Sequence, residues 1–483
     1  MVDFPIDRPW ELVFSGVDHA RLMQHLFPGG GDEYGAAISA GIHVLPRKVR
    51  LLVRHVDLAV EGADHVRGNH GYKMLRAQFI HRQIVRARKE RLVYLSVHNH
   101  GGSDRVAFSQ ADIASHERGY PALLDVSEGM PVGALVLATD ATAGVIWHPG
   151  GARIPIARTI IVGQARKERF PSLPVALPFK LAREFERQIL IFGARGQRTI
   201  SLSKVGIIGL GGVGSEMAEL LGRLGVGSFV LVDPDRADTS NLSRLIGARR
   251  SDVLISEAAA RTLGRFAPIL DRLRTRKVDL AARNIRRANP KAIVKRIFGS
   301  VIDRACATEL LDCDYLFLAA DQMAARLVVN AIVHQYLIPA VQVGSRVVAD
   351  GDTGRIEDVF AVSRPISPDL GCLWCNSLID PTKLQLEATE PRQRKKQRYG
   401  TESEAPSVVT LNALGASEAV NSFLFYLTGL ANEATDPAYM RFRPLRRAVA
   451  FDEPSKLANC TECGKTEISR FARGGATDLP VRG

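Results

Sequence analysis

The sequence lacks any long apolar run. No segment approaches the roughly 20 apolar residues that a helix needs to cross a bilayer, and the first residues, MVDFPIDRPW, lack the basic and apolar regions of a secretory signal. Cysteine is also scarce, with six in 483 residues, which argues for metal ligands or free thiols and against a disulfide framework. We therefore expect a cytoplasmic protein of two or three domains with no membrane partner.

Acidic residues are in deficit. The chain has 51 Asp and Glu against 64 Lys and Arg, a formal net charge of +13, so long-range attraction favours acidic partners. The arginines are spread along the chain and form no single basic arm, so we do not expect a nucleic-acid interface. For the basic segment PRQRKKQRYG, residues 391–400, the alternatives are a solvated loop and a binding segment for an acidic protein.

Residues of the metal-ligand type gather in the first half of the chain. His98 and His100 lie two apart at the end of a strand pattern, so both imidazoles point to the same face. Ser109 and Asp112 follow with the three-residue offset of a helix. Two histidines and one carboxylate are the ligand set of a catalytic zinc ion that keeps one position open for water. A histidine pair alone is more often structural, but the two patterns together favour a metal site.

This pattern resembles the JAMM signature of the JAB/MPN metalloproteases, which cleave bonds to ubiquitin-like proteins. The resemblance covers roughly residues 10–150 and implies a site of five residues. Glu33, in the segment DEYGAAISAG, is the expected general base, and Ser109 is expected to stabilise the oxyanion. The expected zinc ligands are His98, His100 and Asp112. Eight residues separate His100 from Ser109, where seven are commoner in that family. A degenerate domain kept for docking is the alternative.

A glycine-rich turn organises the second half. The apolar run that ends at Ile208 predicts a buried parallel strand, and a helical pattern begins at Ser215. Four glycines lie in this turn, Gly209, Gly211, Gly212 and Gly214. Without side chains, their backbone N–H groups and the helix N-terminus can approach a phosphate. The next strand ends in Asp233, whose carboxylate can bind ribose hydroxyls. The sequence therefore predicts a nucleotide-binding, doubly wound α/β fold.

Polar residues at fixed distances from this turn suit a triphosphate. Asn241 and Arg244 provide amide and guanidinium donors, for which an NAD-linked oxidoreductase, the less favoured alternative, has no use. Another predicted buried strand ends in Asp321. A carboxylate at that edge of the sheet suits Mg²⁺ beside phosphate.

With these positions, the second half resembles the ThiF/MoeB family, the adenylating fold of ubiquitin-activating enzymes. The segments FERQILIFGARGQ, GLGGVGS, NLSR, KVDLAARNIRRANP and AADQ stand in the family's order over about residues 180–465. The resemblance implies a Mg-ATP site with ribose bound by Asp233, phosphates by Asn241, Arg244 and Lys277, and Mg²⁺ by Asp321. It also assigns Arg187 to the partner subunit's active site, which requires a homodimer.

Lys277 stands farther from Arg244 than the family's lysine usually does. No other lysine occurs between Lys204 and Lys277, and RKVDLAARNIRRANP keeps the family's flanking pattern. We therefore infer an insertion over about residues 248–275 that adds helical, arginine-rich material. Leu245 stands where the family often has Gln.

Four of the six cysteines form two Cys-x-x-Cys pairs, Cys372 with Cys375 and Cys460 with Cys463. Two such pairs supply the four thiolates of a structural zinc site, and the long gap between them is similar to the zinc clip of the adenylating family. Disulfides or free thiols are the alternatives. No cysteine occurs from residue 376 to residue 459, so we predict no covalent thioester where ubiquitin-activating relatives usually carry their nucleophile.

The prediction is a two-domain α/β protein. A JAB/JAMM metalloprotease-like domain spans residues 1–165, and a proline-containing linker spans 166–180. A Rossmann-like, doubly wound ThiF-type adenylation domain with a zinc clip spans 181–466, including a crossover segment over about 376–410. A flexible tail spans 467–483.

The predicted activity is ATP-dependent adenylation of the carboxyl terminus of a ubiquitin-like protein. The acyl group would pass to a thiol on a conjugating-enzyme-like partner or to a sulfur donor, and the zinc peptidase would trim precursors or remove conjugates. Conjugation systems, including antiviral ones, and sulfur-carrier activation for cofactor biosynthesis are the candidate settings. The alternative is a non-catalytic docking protein of the same pathway.

Overall fold

The computed structural model describes residues 4–67, 73–174, 182–255, 262, 271–350, 353–389, 406–431 and 438–483. Its chain divides into two compact units. The first comprises residues 1–178, 334–337 and 457–478, and the second comprises 179–333, 338–456 and 479–483. The basic segment 391–400 lies outside the described residues. Among the helices of the described ranges, none is long and apolar enough to cross a membrane.

The first unit is built on a sheet that closes on itself. Its strands are β1 (Trp10–Ser15), β2 (Gly35–Val44), β3 (Val49–Leu58), β4 (His65–Arg67), β5 (Lys73–Leu75), β6 (Val93–Asn99), β7 (Val132–Leu137), β8 (Thr142–Trp147), β9 (Arg153–Val162) and β10 (Arg166–Arg169). The main sheet has the order β1-β3-β2-β6-β7-β8-β9-β10, and β1 also pairs with β9. Strands β4 and β5 form a separate two-stranded sheet.

In the described part of the first unit, helices α1 (Gly16–Leu26), α2 (Ala77–Lys89) and α3 (Gln110–Val126) pack against this sheet. Side-chain caps fix where α1 and α3 begin, whereas α2 has no such cap. The Ser15 side chain accepts a hydrogen bond from the Asp18 backbone N–H at the start of α1, which satisfies one otherwise unpaired donor. Ser109 and Asp112 form a reciprocal capping box at the start of α3. The helix after the two histidines therefore begins where its predicted site residues stand.

The predicted flexible tail is wrong. Residues 467–478 belong to the first unit, where Phe471 and Ala472 are buried. The backbone N–H of Gly475 donates to the carbonyl oxygen of Ile42 at 2.9 Å. The polar, glycine-rich composition suggested disorder, but this backbone finds hydrogen-bond partners on the sheet.

Arg54 on β3 holds this terminal segment. Its side chain is fully buried, and its Nε donates to Glu90 Oε2 at 2.9 Å. One terminal nitrogen donates to the carbonyl oxygen of Phe471 and the other to that of Thr466, the latter at 2.7 Å. A buried guanidinium is stable only when its donors are satisfied, so the terminal segment and Arg54 depend on each other.

The second unit contains a doubly wound sheet, as predicted. Its strands are β11 (Lys204–Ile208), β12 (Ser228–Val232), β13 (Ile293–Ile297), β14 (Tyr315–Leu318), β15 (Ala340–Ala349), β16 (Ile356–Ile366), β17 (Tyr439–Arg443) and β18 (Ala448–Asp452). Their order is β13-β12-β11-β14-β15-β16-β17-β18. The first five strands in this order are parallel, and the rest pair antiparallel. The chain order reverses at β11, which is where such sheets bind ligands.

The helices of this half are α4 (Glu186–Leu202), α5 (Gly212–Leu224), α6 (Lys277–Ala288), α7 (Arg304–Thr308), α8 (Met323–Tyr336), α9 (Pro381–Ala388) and α10 (Val409–Thr428). A core of apolar side chains from the sheet, α5, α6 and α10 includes Met217, Ile285, Phe317 and Phe423. Both cysteines outside the Cys-x-x-Cys pairs, Cys306 and Cys313, are buried. The core leaves the carboxyl edge of the parallel strands for ligands.

Some predicted boundaries differ from the structure. Residues 166–169, placed in the linker, form β10 and pair with β9, because Glu168 accepts hydrogen bonds from Arg158 and Arg166 and so satisfies this charged strand. The strand expected to end in Asp321 ends at Leu318. In the described part of the predicted insertion, a 3₁₀ turn spans Arg250–Asp252, and residues 256–261 and 263–270 lie outside the description.

We predict that Arg54→Ala destabilises the first unit by about 3 to 5 kcal/mol, because it leaves buried carbonyl oxygens and Glu90 without their donor. Urea unfolding followed by tryptophan fluorescence measures this, since Trp10 and Trp147 lie in this unit. The control Arg88→Ala removes an exposed pair with Glu128 and should cost less than about 1 kcal/mol. Equal effects of both variants would contradict the role of Arg54.

Candidate functional site

The predicted zinc ligands converge in the first unit. His98 lies on β6, His100 follows that strand, and Asp112 lies in the first turn of α3. The Nε2 atoms of the two histidines are 3.2 Å apart. Asp112 Oδ1 lies 3.4 Å from His98 Nε2, and Asp112 Oδ2 lies 3.3 Å from His100 Nε2. These three side chains form a group whose ligand atoms could hold one metal ion.

The spacing of these atoms fits zinc. In a tetrahedral site with metal–ligand bonds of about 2.0 Å, neighbouring ligand atoms lie about 3.3 Å apart, close to the three separations found here. The Asp112 side chain is nearly buried and the two histidine side chains are about one-fifth exposed. Burial acts to raise the pKa of Asp112, but His98 and Ser109 outweigh it and hold the pKa below its ordinary value. Asp112 is therefore in the ionised form that binds metal.

The other two predicted residues also lie at this group. Glu33, just before β2, places Oε1 3.7 Å from His100 Nε2. Ser109 Oγ donates to Asp112 Oδ2 at 2.7 Å. Asn99, which was not predicted as a site residue, also belongs here. Its Oδ1 accepts a hydrogen bond from the backbone N–H of Tyr34 at 2.6 Å. This bond ties the segment that carries Glu33 to the strand that carries the histidines. The position of Asn99 between His98 and His100 was the sequence feature that could have indicated this role.

The glycine turn of the second unit joins β11 to α5. Gly209 has φ of +87°, and a Cβ placed there would lie 2.8 Å from the backbone nitrogen of Ala320. A Cβ at Gly214 would lie 1.9 Å from the carbonyl oxygen of Gly209. Only glycine fits these two positions. Helix α5 starts at Gly212 after Gly211, and no side chain caps it, so its first N–H groups can receive an anion.

Asp233 connects the two loops beside this turn. Its Oδ2 accepts the backbone N–H of Leu210 at 2.6 Å, and its Oδ1 accepts that of Asp235 at 2.8 Å. The residue is buried, and burial raises the pKa of its carboxyl group. Each oxygen retains a second lone pair, so the contacts leave acceptor capacity for hydroxyl groups.

The predicted phosphate ligands lie around the same turn. Arg244 Nη1 donates to the carbonyl oxygen of Ser240 at 3.0 Å, and its Cδ lies 3.5 Å from a Cβ built at Gly212. Asn241 Oδ1 accepts the backbone N–H of Asp238. Lys277 begins α6 and donates to Asp235 Oδ2 at 2.7 Å. Asp235 was missed as a partner of this lysine.

Asp321 is exposed at the wall of a cavity of about 1130 Å³ in the second unit. The cavity is also lined by Pro234, which follows Asp233 in the chain, and by residues of β15 and β16. Arg187 lies exposed on α4 and is not among the lining residues. The single chain therefore brings the predicted nucleotide-binding residues to one edge of the sheet and leaves Arg187 outside the cavity.

The two Cys-x-x-Cys pairs adopt compact turns. The sulfur atoms of Cys372 and Cys375 are 3.5 Å apart, and the Cys375 backbone N–H donates to Cys372 Sγ at 3.4 Å. Cys460 Sγ accepts the N–H of Glu462 at 3.4 Å, and Cys463 is buried. The first pair belongs to the second unit and the other pair to the first unit.

Comparison with known proteins gives one family match. The model of the ThiF family matches residues 185–464, more than half of the chain. Over 70 residues the chain is 44% identical to the tRNA threonylcarbamoyladenosine dehydratase of Bacillus subtilis (strain 168), covering 14% of this chain and 28% of that protein. Over 100 residues it is 36% identical to the adenylyltransferase and sulfurtransferase MOCS3 of Mus musculus, covering 20% and 22%. The chain spans less than a third of these relatives' length.

Among solved structures, the chain is similar to MccB of E. coli crystallised with ATP. The match has a TM-score of 0.43 and 18% sequence identity, and it covers 59% of this chain and 75% of that chain. It supports no assignment of function.

We predict that Gly209→Ala destabilises the second unit by more than about 2 kcal/mol, because alanine is strained at this φ and its Cβ meets the backbone of Ala320. The matched control is Gly211→Ala. Gly211 has φ of −72°, and nothing lies within 4 Å of its Cβ position. Thermal unfolding without nucleotide compares the two variants. Similar losses in both would show that the turn tolerates side chains at Gly209.

Proposed function

Because this chain belongs to the ThiF family, we propose that it adenylates the carboxyl terminus of a ubiquitin-like protein with ATP. The observation that carries the proposal is the uncapped start of α5 at a turn that admits only glycine at Gly209 and Gly214. Arg244 and Lys277 beside it offer cationic donors for phosphate oxygens.

In the proposed reaction, a carboxylate oxygen of the partner's terminal glycine attacks the α-phosphorus of ATP. The bond from that phosphorus to the bridging oxygen breaks, and pyrophosphate leaves with the electron pair. Asp233 accepts hydrogen bonds from the ribose hydroxyls, and Asn241 and Arg244 donate to phosphate oxygens. The Lys277 ammonium group leaves its ion pair with Asp235 and binds the phosphates instead. Mg²⁺ bound by Asp321 would neutralise phosphate charge. Positioning and charge stabilisation supply most of the rate in such transfers.

The acyl group then passes to a thiol on another protein or to a sulfur donor. The absence of cysteine from residue 376 to residue 459 supports this route, and MOCS3, whose name pairs adenylyltransferase with sulfurtransferase, is a relative. Conjugation, including antiviral conjugation, and sulfur-carrier activation are both compatible with this chemistry. A homodimer would bring Arg187 to the partner's site. The exposure of Leu190 (87%) and Ile191 (69%) on the same helix supports such an interface.

For the first unit we propose a zinc peptidase or isopeptidase. His98, His100 and Asp112 fit zinc by the spacing of their ligand atoms. Zinc held there would polarise the scissile carbonyl and lower the pKa of water at the site to about 7. Glu33 would take a proton from the attacking water as its oxygen bonds to the carbonyl carbon, and would deliver that proton to the amine that leaves when the C–N bond breaks. Ser109 Oγ would donate a hydrogen bond to the developing oxyanion. A docking domain without activity is the alternative.

We also propose that the two Cys-x-x-Cys pairs hold a structural zinc ion. The sulfur separation of 3.5 Å between Cys372 and Cys375 is close to the roughly 3.8 Å expected for tetrahedral zinc with bonds of about 2.3 Å. Two pairs supply the required four thiolates.

We predict ATP–pyrophosphate exchange that depends on an added protein or peptide ending in Gly-Gly, with at least a 100-fold loss in Asp321→Ala, because Mg²⁺ loses its ligand. The assay uses radiolabelled pyrophosphate and a panel of ubiquitin-like proteins. Glu357→Ala, which removes an exposed carboxylate outside the cavity, should retain exchange. Unchanged exchange in folded Asp321→Ala would refute the assigned role.

We predict two zinc ions per purified chain by mass spectrometry of metals. The double variant His98→Ala/His100→Ala should retain one, and Cys460→Ser/Cys463→Ser should lose the other, because each set loses half or more of its ligands. Circular dichroism checks folding. Wild-type protein with a single zinc that the histidine variant keeps would favour docking over peptidase activity.

A further inference from the structure

The cavity beside Asp321 is more basic than the proposed Mg-ATP site requires. Its lining includes two carboxylates, Asp321 and Glu387, against five basic side chains. The basic residues are Arg326, Arg346, Arg364, Lys383 and Arg482. Two of them, Arg326 and Arg364, are partly buried, and the other three are exposed. Partial burial makes an uncompensated positive charge costly.

Arg326 lies on α8, one turn beyond Asp321. Its Nη1 donates to the carbonyl oxygen of Leu378 at 2.8 Å. Its Nε is buried, and within the described residues it has no hydrogen-bond partner. Burial lowers the pKa of Arg326, and the nearby carboxylates Asp321 and Glu387 act to raise it without outweighing the burial. The positive charge of this guanidinium is therefore only partly compensated.

Arg364 lies on β16, opposite Gln342 of β15 in the strand register. Its Nη1 donates to Gln342 Oε1 at 2.6 Å, another neutral acceptor. Burial, followed by the positive charges of Arg326 and Arg441, lowers the pKa of Arg364 to about 10, against a weaker opposing effect of Tyr439 and Asp452. The two cavity arginines thus lie close enough to repel each other.

The carboxylates near this pair have other roles. Glu387 accepts the backbone N–H groups of Met323 and Ala324 at 2.9 and 2.8 Å and so caps the start of α8. Asp321 is the exposed Mg²⁺ ligand of the proposed reaction. Asp452 pairs with Arg441 at 2.9 Å. Over the described ranges, no ion pair joins Arg326 or Arg364 to a carboxylate within hydrogen-bond distance.

The position of Arg364 separates it from the nucleotide phosphates. The glycine turn follows β11, and Arg364 lies on β16, three strands away in the order β11-β14-β15-β16. At about 4.8 Å per strand, the two lie about 14 Å apart across the sheet. Phosphates bound at the turn do not reach Arg364. An extended peptide whose terminal carboxylate reaches the α-phosphate spans the same distance with about four residues, at about 3.3 Å each.

We propose that Arg326 and Arg364 form a carboxylate-binding site for an acidic side chain about four residues before the carboxyl terminus of the protein that this enzyme adenylates. The inference rests on the proposed function and adds a chemical requirement on the substrate. Guanidinium groups bind carboxylates through paired hydrogen bonds, and the Arg326 Nε is a donor still to be satisfied.

The test uses fluorescent ten-residue peptides that end in Gly-Gly. A single Glu occupies in turn the third to the seventh position from the end, and each peptide has a Gln counterpart. Anisotropy with the full chain and a non-hydrolysable ATP analogue measures binding, and ATP–pyrophosphate exchange is measured separately. The peptide that carries Glu near the fourth position from the end should bind about tenfold more tightly than its Gln counterpart.

Three variants locate this preference. Arg364→Gln and Arg326→Gln should abolish it, and Arg364→Lys should restore part of it. The control Arg346→Gln removes an exposed guanidinium from the same cavity and should leave the preference intact. The Kd of the ATP analogue should be unchanged in Arg364→Gln, and circular dichroism checks that each variant folds.

The outcomes separate this inference from the proposed function. Equal binding of Glu and Gln peptides at every position, or no binding by either, overturns the carboxylate site whether or not exchange occurs. A preference that survives Arg364→Gln, or weaker binding of the ATP analogue in that variant, also overturns it. A preference lost in Arg364→Gln supports the site even where exchange is absent, and absent exchange counts against adenylation alone.

Discussion

The second unit depends on the close backbone contact at the turn after β11. There, the carbonyl oxygen of Gly209 lies against Gly214, and Gly209 lies against the backbone of Ala320. Because no side chain fits between these segments, α5 starts directly at the carboxyl edge of the sheet with its first N–H groups uncapped. The loop after β14, which carries Asp321, is held beside the same turn. In the proposed reaction, nucleotide, metal and acyl donor would therefore meet at this one edge of the sheet.

Buried and partly buried arginines in this basic chain have two different roles, and their hydrogen-bond acceptors distinguish them. Arg54 is fully buried, but carbonyl oxygens and the carboxylate of Glu90 satisfy its donors, so it stabilises the first unit. Arg326 and Arg364 have mainly neutral acceptors and line a cavity. The same residue type therefore acts as an internal connection in one place and as a binding group in the other.

The metal group of the first unit shows how much of a site a local pattern can determine. The alternation of a strand places His98 and His100 on one face, and the capping box places Asp112 at the start of the next helix. Both geometries are local, so the sequence was sufficient to predict that these three side chains converge. Glu33 comes from a segment more than 60 residues earlier, and its position depends on the contact of Asn99 with Tyr34, which no local pattern encodes.

Local sequence patterns were sufficient to predict the doubly wound sheet, the glycine turn and the three converging side chains of the first unit's candidate metal site, because strand alternation, helix caps and the space around glycine act over a few residues. The folded structure was needed to show that residues 467–478 pack into the first unit, that Lys277 contacts Asp235, and that Arg326 and Arg364 share a cavity. These features join segments far apart in the chain. From their composition these segments would be expected to form exposed loops with solvated charges. Contacts with distant parts of the chain supply hydrogen-bond acceptors and bury these groups instead.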